Sequence, residues 1–135
     1  MGPGLRSVQY LGSSKQKQLM IQWNDGRIAS MTVGKAAWLP FNITAVTDKN
    51  VRQITVDNTQ IYRSLLMAVL PYLTGKTDKA PLGINEILAP ELAAMAARIS
   101  WLNNGEKVFL TDLRSDDPGY DGTQFAMEYR RARMG

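Results

Sequence analysis

Residues 19–33 read LMIQWNDGRIASMTV and carry the clearest local fold signal in the chain. Leu19, Ile21 and Trp23 occupy every second position of the first part of this stretch, with Met20 and Gln22 between them. The turn signal Asn24-Asp25-Gly26 follows, and a second apolar run begins at Ile28. The pattern therefore predicts a β-hairpin.

The length of the turn decides the register of this hairpin. A two-residue turn would mix apolar and polar side chains on both faces. A three-residue turn, with Gly26 in the left-handed conformation of a bulge, places Ile21 opposite Ala29. It also places Leu19 opposite Met31, so the apolar side chains gather on one face. We favour the three-residue turn.

Further strands are predicted on both sides of the hairpin. Residues Ser7 to Leu11 alternate and end at a glycine-serine turn, which predicts a strand paired with residues 17–23. Two more strands are expected around residues 41–45 and 54–56, separated by the turn at residues 47–50. The N-terminal half thus predicts an antiparallel sheet of about five strands.

The second half of the chain changes to helical spacing. A helix is expected from Asn58 or Thr59, ended or kinked by Pro71 and packed on the sheet. Ile84 to Leu88 suits a short helical turn. A separate helix would then begin at Pro90.

The rest of the chain predicts a further helix, a strand, a loop and a last helix. The helix from Pro90 should stop at Asn103-Asn104-Gly105, in left-handed geometry. A late strand is expected over residues 107–113, a loop over 116–122 and a last helix over 123–133. These elements predict a single α+β domain over residues 5–135 with a basic C-terminal end, and two or three helices packed on the sheet. Residues 1–4 are interpreted as a disordered start or a cloning remnant.

Composition excludes several classes of function. The chain has 135 residues, is 44% hydrophobic and contains no cysteine and no histidine. Thiol or Ser-His-Asp catalysis, disulfides, zinc fingers and imidazole-bound metals are therefore excluded. No apolar run approaches the length of a membrane span, and the start lacks the apolar core of a signal peptide. We expect a nonenzymatic protein without cofactor or membrane contact, located in the cytoplasm or within a viral particle.

The charge is concentrated near the two ends of the chain. Residues 1–63 carry eight basic and three acidic residues, and residues 64–135 carry eight basic and nine acidic ones. Two basic zones therefore flank a mildly acidic middle, because three of the later basic residues cluster in Arg130-Arg131-Ala132-Arg133. Two basic zones on one face would attract a polyanion. Aromatic side chains beside them could stack on unpaired bases. The predicted nucleic-acid contacts are Lys15, Lys17, Trp23, Arg27, Tyr129, Arg130, Arg131 and Arg133.

Two other motifs have simpler structural interpretations. Gly75-Lys76-Thr77 matches the end of a phosphate-binding loop, but Leu70 stands where that motif needs a glycine, so a helix C-terminal turn is favoured. Aspartates between Asp112 and Asp121 could hold a cation, but their spacing fits no calcium loop and equally suits tight turns. We predict no metal site. An enzyme using Asp112 with Asp121 or Glu128 is a distant third interpretation.

Apolar residues exceed what the predicted core needs, which suggests a partner surface. A homodimer is the favoured explanation. Two functions therefore remain open: a domain that binds single-stranded or structured RNA or DNA, and a self-associating structural or accessory protein of a viral or bacterial particle. The surplus residues are Met20, Met31, Trp38, Leu39, Met67 and Leu70.

Overall fold

The computed structural model describes residues 4–13, 16–34 and 41–134. It is an α+β fold with two antiparallel sheets and three helices, so the predicted fold class is confirmed. The first sheet has the order β3-β2-β1-β6, and the second consists of β4 and β5. The strands are β1 (Leu5–Tyr10), β2 (Gln16–Trp23), β3 (Ile28–Gly34), β4 (Asn42–Val46), β5 (Val51–Thr55) and β6 (Val108–Phe109). The helices are α1 (Ile61–Leu73), α2 (Ile84–Leu102) and α3 (Thr123–Met134).

The hairpin of β2 and β3 has the predicted register. Trp23 donates its backbone N–H to the carbonyl of Arg27 over 2.9 Å, and Gly26 has a φ of +88°. The turn between Trp23 and Arg27 therefore has three residues, with Gly26 in the left-handed position. The predicted cross-strand pairs are present: Ile21 with Ala29, and Leu19 with Met31.

The prediction of one five-stranded sheet is wrong. β4 and β5 pair only with each other in the second sheet. The place beside β1 is taken by β6, where Val8 pairs with Val108 and Ser7 with Phe109. The late strand is also shorter than predicted, because the chain passes into a single 3-10 turn over Leu110–Asp112.

The predicted break before Pro90 is also wrong, because α2 runs through this residue. Proline removes one helical N–H, and the carbonyl that loses its donor is that of Glu86. Both residues are exposed, so water can satisfy this carbonyl. The predicted stop is confirmed, since Asn104 and Gly105 have φ values of +55° and +85°.

The core lies between α2 and the first sheet. α2 packs on β1 and on the short β6. The buried apolar side chains are Val8, Ile21, Trp23, Ala96 and Val108. By contrast, α1 has no buried residue, so the prediction that it packs on the sheet is wrong. Its apolar side chains exceed what this small core can cover.

One hydroxyl group connects the end of α2 to the sheet. Ser100 is fully buried, and its Oγ accepts the N–H of Tyr10 over 2.8 Å. The same Oγ–H donates to the carbonyl of Glu106 over 2.5 Å. Gly105 lies so close to β1 that a Cβ there would stand 2.6 Å from the Tyr10 carbonyl oxygen. The end of α2, the following turn and β1 therefore form one joint.

We predict that Ser100→Ala lowers the free energy of unfolding by about 1–3 kcal/mol, because a buried N–H and a carbonyl lose their partner. Ser64→Ala is the matched control, since Ser64 is an exposed helical serine. It should change stability by less than about 0.5 kcal/mol. Urea unfolding of both variants gives the comparison, and equal effects would contradict the role of the joint.

Candidate assembly and nucleic-acid surfaces

The hairpin residues of the predicted nucleic-acid site lie partly in the core. Trp23 is only 5% exposed, on the face of the sheet that α2 covers. The Arg27 guanidinium carbon lies 5.4 Å from the centre of the Trp23 ring, and its Nε is 2.7 Å from an Asp25 oxygen. Trp23 therefore packs in the fold, and Arg27 lies beside it at the end of the hairpin.

Lys17 lies at the other end of β2, on the same face of the sheet as Trp23. Its Nζ is 3.3 Å from the centre of the Trp101 ring, and the Tyr10 and Trp101 rings are 6.0 Å apart. Trp101 is half exposed, so this cation and ring are accessible together. Lys15, also predicted at this site, lies outside the described residues.

The C-terminal basic cluster lies on α3, whose side chains from Thr123 to Arg133 are all exposed. The rings of Phe125 and Tyr129 are stacked with centroids 6.1 Å apart. The Arg133 guanidinium carbon lies 5.0 Å from the centre of the Tyr129 ring. The structure thus brings Tyr129 and Arg133 together, while Arg130 and Arg131 extend from the same helix.

The structure also assembles a basic group that sequence reasoning missed. It lies on the face of the first sheet opposite α2. Lys107 Nζ is 3.4 Å from Gln22 Oε1, which also accepts the Ser7 hydroxyl over 3.2 Å. The Arg6 guanidinium carbon lies 5.8 Å from the centre of the Phe109 ring. Pairing of β1 with β6 places Phe109 beside Arg6 and lets Lys107 reach Gln22, which lines one depression with Arg6, and no spacing in the sequence could have indicated it.

The strands around this group lack acidic side chains, although Arg27 beside the group is paired with Asp25. None of the four strands of the first sheet contains aspartate or glutamate. A shallow depression open to solvent adjoins the group at the hairpin end of the sheet. Its lining residues are Arg6, Gln22, Trp23, Gly26, Arg27 and Ile28.

The aspartates of the acidic loop have separate partners. Asp116 accepts two hydrogen bonds from Arg114, Asp117 accepts the N–H of Gly119, and Asp121 accepts the N–H of Thr123. Within residues 4–13, 16–34 and 41–134, no group of three metal-ligating side chains stands where it could hold an ion. The loop therefore serves as turns and as a start for α3. The Gly75 turn follows α1 with a φ of +69°, as expected for a helix C-terminal turn.

Apolar side chains are also exposed on α1 and, separately, on the hairpin of β4 and β5. Tyr62 is 79% exposed and Met67 69% exposed, and all five residues of β5 are exposed. α1 contains a single charged residue, Arg63. Of the predicted surplus residues, Met31, Met67 and Leu70 are exposed and Met20 is half-buried. Trp38 and Leu39 lie outside the described residues.

Comparison of the chain with protein-family models, curated proteins and solved structures found no match. Among the helices of the described residues, none combines the length and apolar character needed to cross a membrane. The surfaces themselves therefore carry the functional argument.

Four exposed aspartates have a lowered pKa, which determines how the stability of the fold should respond to acid. Hydrogen bonds from the Arg27 backbone and side chain lower the pKa of Asp25, and those from the Thr123 side chain and backbone lower the pKa of Asp121. The pKa of Asp57 is lowered by the Thr59 N–H, and that of Asp116 by the Arg114 side chain.

Groups with a lowered folded pKa stabilise the fold above their unfolded pKa of about 4 and lose this contribution as pH falls below it. We expect stability to change little between pH 6 and 8, because the chain lacks histidine, and to decline below about pH 4. Asp25→Asn with Asp121→Asn should make the decline shallower. Urea unfolding across pH measures this, and a rise in stability on acidification would contradict it.

Proposed function

We propose that this protein is a nonenzymatic, self-associating structural subunit, whose apolar surface is covered by further copies of the same chain. The accessible surface of the chain supports this proposal. It amounts to 11511 Å², whereas a compact monomer of 15.0 kDa exposes about 7,000 Å². The excess of about 4,500 Å² is surface that a stable protein of this size normally buries.

The size of the excess also bears on the kind of assembly. A standard protein interface buries about 800 Å² per partner, and large permanent interfaces bury roughly 1,000–2,500 Å² per partner. A single such contact would leave much of the excess uncovered. The proposal is therefore that each copy contacts at least two others, as in a particle or a filament, or that two copies interlock.

α1 is the element that most needs such cover. A helix with so many large apolar side chains normally buries at least one face, and a helix of 13 residues is barely stable alone in water. Its one charge, Arg63, lies near the N-terminal end, so the last ten residues from Ser64 are uncharged. A second copy presents an equally apolar surface, which makes like-with-like burial favourable.

We predict a dimer or larger species at micromolar concentration, measured by light scattering after size exclusion. Leu66→Glu, in the middle of α1, should weaken association at least tenfold, because a charge in an apolar contact loses its hydration. Thr77→Glu, which adds the same charge to the exposed loop after α1, is the control and should leave the mass unchanged. A monomeric mass for the unaltered protein would refute the proposed function.

Nucleic-acid binding is the second candidate, and the two basic groups favour it. On α3, three arginines accompany the exposed Phe125 and Tyr129 rings, a combination suited to phosphates and unpaired bases. On the open face of the sheet, Arg6 and Lys107 surround Gln22, whose amide group could donate to a base. Single-stranded RNA or DNA fits both groups. This function would be compatible with a subunit that encloses or organises a nucleic acid.

We predict that replacing Arg130, Arg131 and Arg133 with alanine flattens the salt dependence of oligonucleotide binding by roughly 2 units, because up to three phosphate contacts are lost. Fluorescence anisotropy of a labelled single-stranded oligonucleotide measures the slope. Arg114→Ala is the control, since Asp116 already neutralises this exposed arginine.

Arg6→Ala with Lys107→Ala tests the sheet group in the same assay and should flatten the slope by about 1 unit. An unaltered slope in both variants would contradict nucleic-acid binding at these surfaces. Absence of binding by the unaltered protein at low salt would refute this second function altogether.

A further inference from the structure

β3 forms an outer edge of the first sheet and is built without the usual protection of an edge strand. Its sequence, IASMTVG, spans seven residues and contains no charge and no proline. Exposed edges in monomeric proteins are normally short or carry lysine, proline or a bulge, because a free edge recruits other strands. The opposite edge, β6, has only two residues. The long edge of this sheet is therefore the one suited to accept another strand.

The hydrogen bonds of the sheet show which backbone groups of β3 point outward. The Leu11 N–H donates to the carbonyl of Gln18, so the backbone N–H and C=O of Gln18 point towards β1. Those of the next residue, Leu19, therefore point towards β3. Leu19 pairs with Met31, which directs the backbone groups of Met31 inward. Alternation then directs those of its neighbours, Ser30 and Thr32, out of the sheet.

The side chains of β3 also leave apolar surface beside this edge. Ala29, Met31 and Val33 share the face on which α2 lies, since they pair with Ile21, Leu19 and Lys17. α2 packs mainly on β1 and β6, however, and only Ala29 of β3 packs against the core. Met31 and Val33 consequently remain 46% and 45% exposed.

We propose that β3 pairs antiparallel with β3 of a second copy, across a two-fold axis that passes beside Met31. Ser30 then exchanges backbone hydrogen bonds with Thr32 of the second copy. By symmetry, Thr32 exchanges them with Ser30 of the second copy. Met31 faces Met31 of the second copy in a pair without hydrogen bonds. This register uses the whole strand and joins two four-stranded sheets into one of eight strands.

A second copy fits this edge better than an unrelated strand for two reasons. The two-fold arrangement is self-complementary: each Val33 covers Ala29 of the other copy, so the exposed apolar row is buried by an identical row. The strand is uncharged, so like charges do not oppose each other across the axis. The inference rests on the proposed self-association, and names one of the contacts that it requires.

Cysteine substitutions test the register directly, because the natural chain contains none. In Met31→Cys, the two new thiols face each other with Cα atoms about 4.5 Å apart, within the range that a disulfide requires. Mild oxidation of the dimer should give a covalently linked pair on a nonreducing gel.

Val33→Cys is the matched control. Val33 has the same exposure and lies on the same face, but the two copies of residue 33 would lie about 13 Å apart. It should not cross-link. Linkage at residue 33 in place of residue 31, or at neither in a protein that self-associates, would overturn the inference.

A backbone test uses Ser30→Pro, which removes an outward N–H but no backbone hydrogen bond between β2 and β3. The side-chain hydrogen bond from Gln18 Nε2 to the Ser30 hydroxyl is lost in Ser30→Pro and in the control Ser30→Ala alike. It should weaken dimerisation about tenfold or more, whereas Ser30→Ala, which keeps the N–H, should leave it within about threefold. The free energy of unfolding in urea checks that both variants are folded.

The two proposals fail in different ways. A monomeric unaltered protein refutes self-association and this inference together. An unaltered protein that self-associates, with a folded Ser30→Pro variant that associates equally well, overturns only the pairing of β3. Cross-linking at Met31 together with weakened association of Ser30→Pro supports it.

Discussion

The packed part of this protein depends on the hydroxyl group of Ser100. It satisfies a backbone donor at the end of β1 and a carbonyl in the turn before β6, from a fully buried position on α2. Without this contact, the Tyr10 N–H and the Glu106 carbonyl would lose the partner that joins them. Because β6 follows the turn directly, the same contact also places Val108 beside Val8 in the core. Residues more than 90 positions apart in the chain are thereby fixed against one another.

The core organised around this joint is small, and much of the chain lies outside it. α2 covers the centre of the first sheet, while α1, α3 and the hairpin of β4 and β5 expose nearly all of their side chains. For α3 this is ordinary, because its surface is rich in arginine. For α1 it is not, since water is a poor environment for a helix of leucine, methionine, valine and isoleucine. The two proposed functions follow from this division between apolar and basic surfaces.

The apolar and basic surfaces are compatible in one assembly. Edge pairing at β3 would leave the open face of the sheet accessible, with Arg6 and Lys107 on each copy. Two such faces in one continuous sheet would double the number of cations along a bound strand. An interface that buries apolar rows on the α2 side thus need not compete with a polyanion on the other side. The geometry allows a subunit that associates with itself and with nucleic acid at once.

Local patterns in the sequence were sufficient for the elements whose geometry is decided by near neighbours. The three-residue turn at Gly26 and the left-handed stop at Gly105 follow from backbone sterics, and the register of β2 and β3 follows from the alternation beside that turn. The exposed cluster of Tyr129 and Arg133 on α3 was also predictable, because both lie on one short helix. These features involve sequence separations of only a few residues.

Only the tertiary structure decided which elements meet. Nothing in residues 42–55 distinguishes a strand of the first sheet from a hairpin paired with itself, because both have the same alternation. The pairing of β1 with β6 depends on where the chain returns after α2, and this alone brings Phe109 to Arg6 and Lys107 to Gln22. Trp23 carries the aromatic signal of a stacking residue, yet its burial under α2 makes it part of the core. Sequence determined the local geometry, and long-range packing determined which side chains remained exposed to act, because exposure depends on neighbours that are distant in the chain.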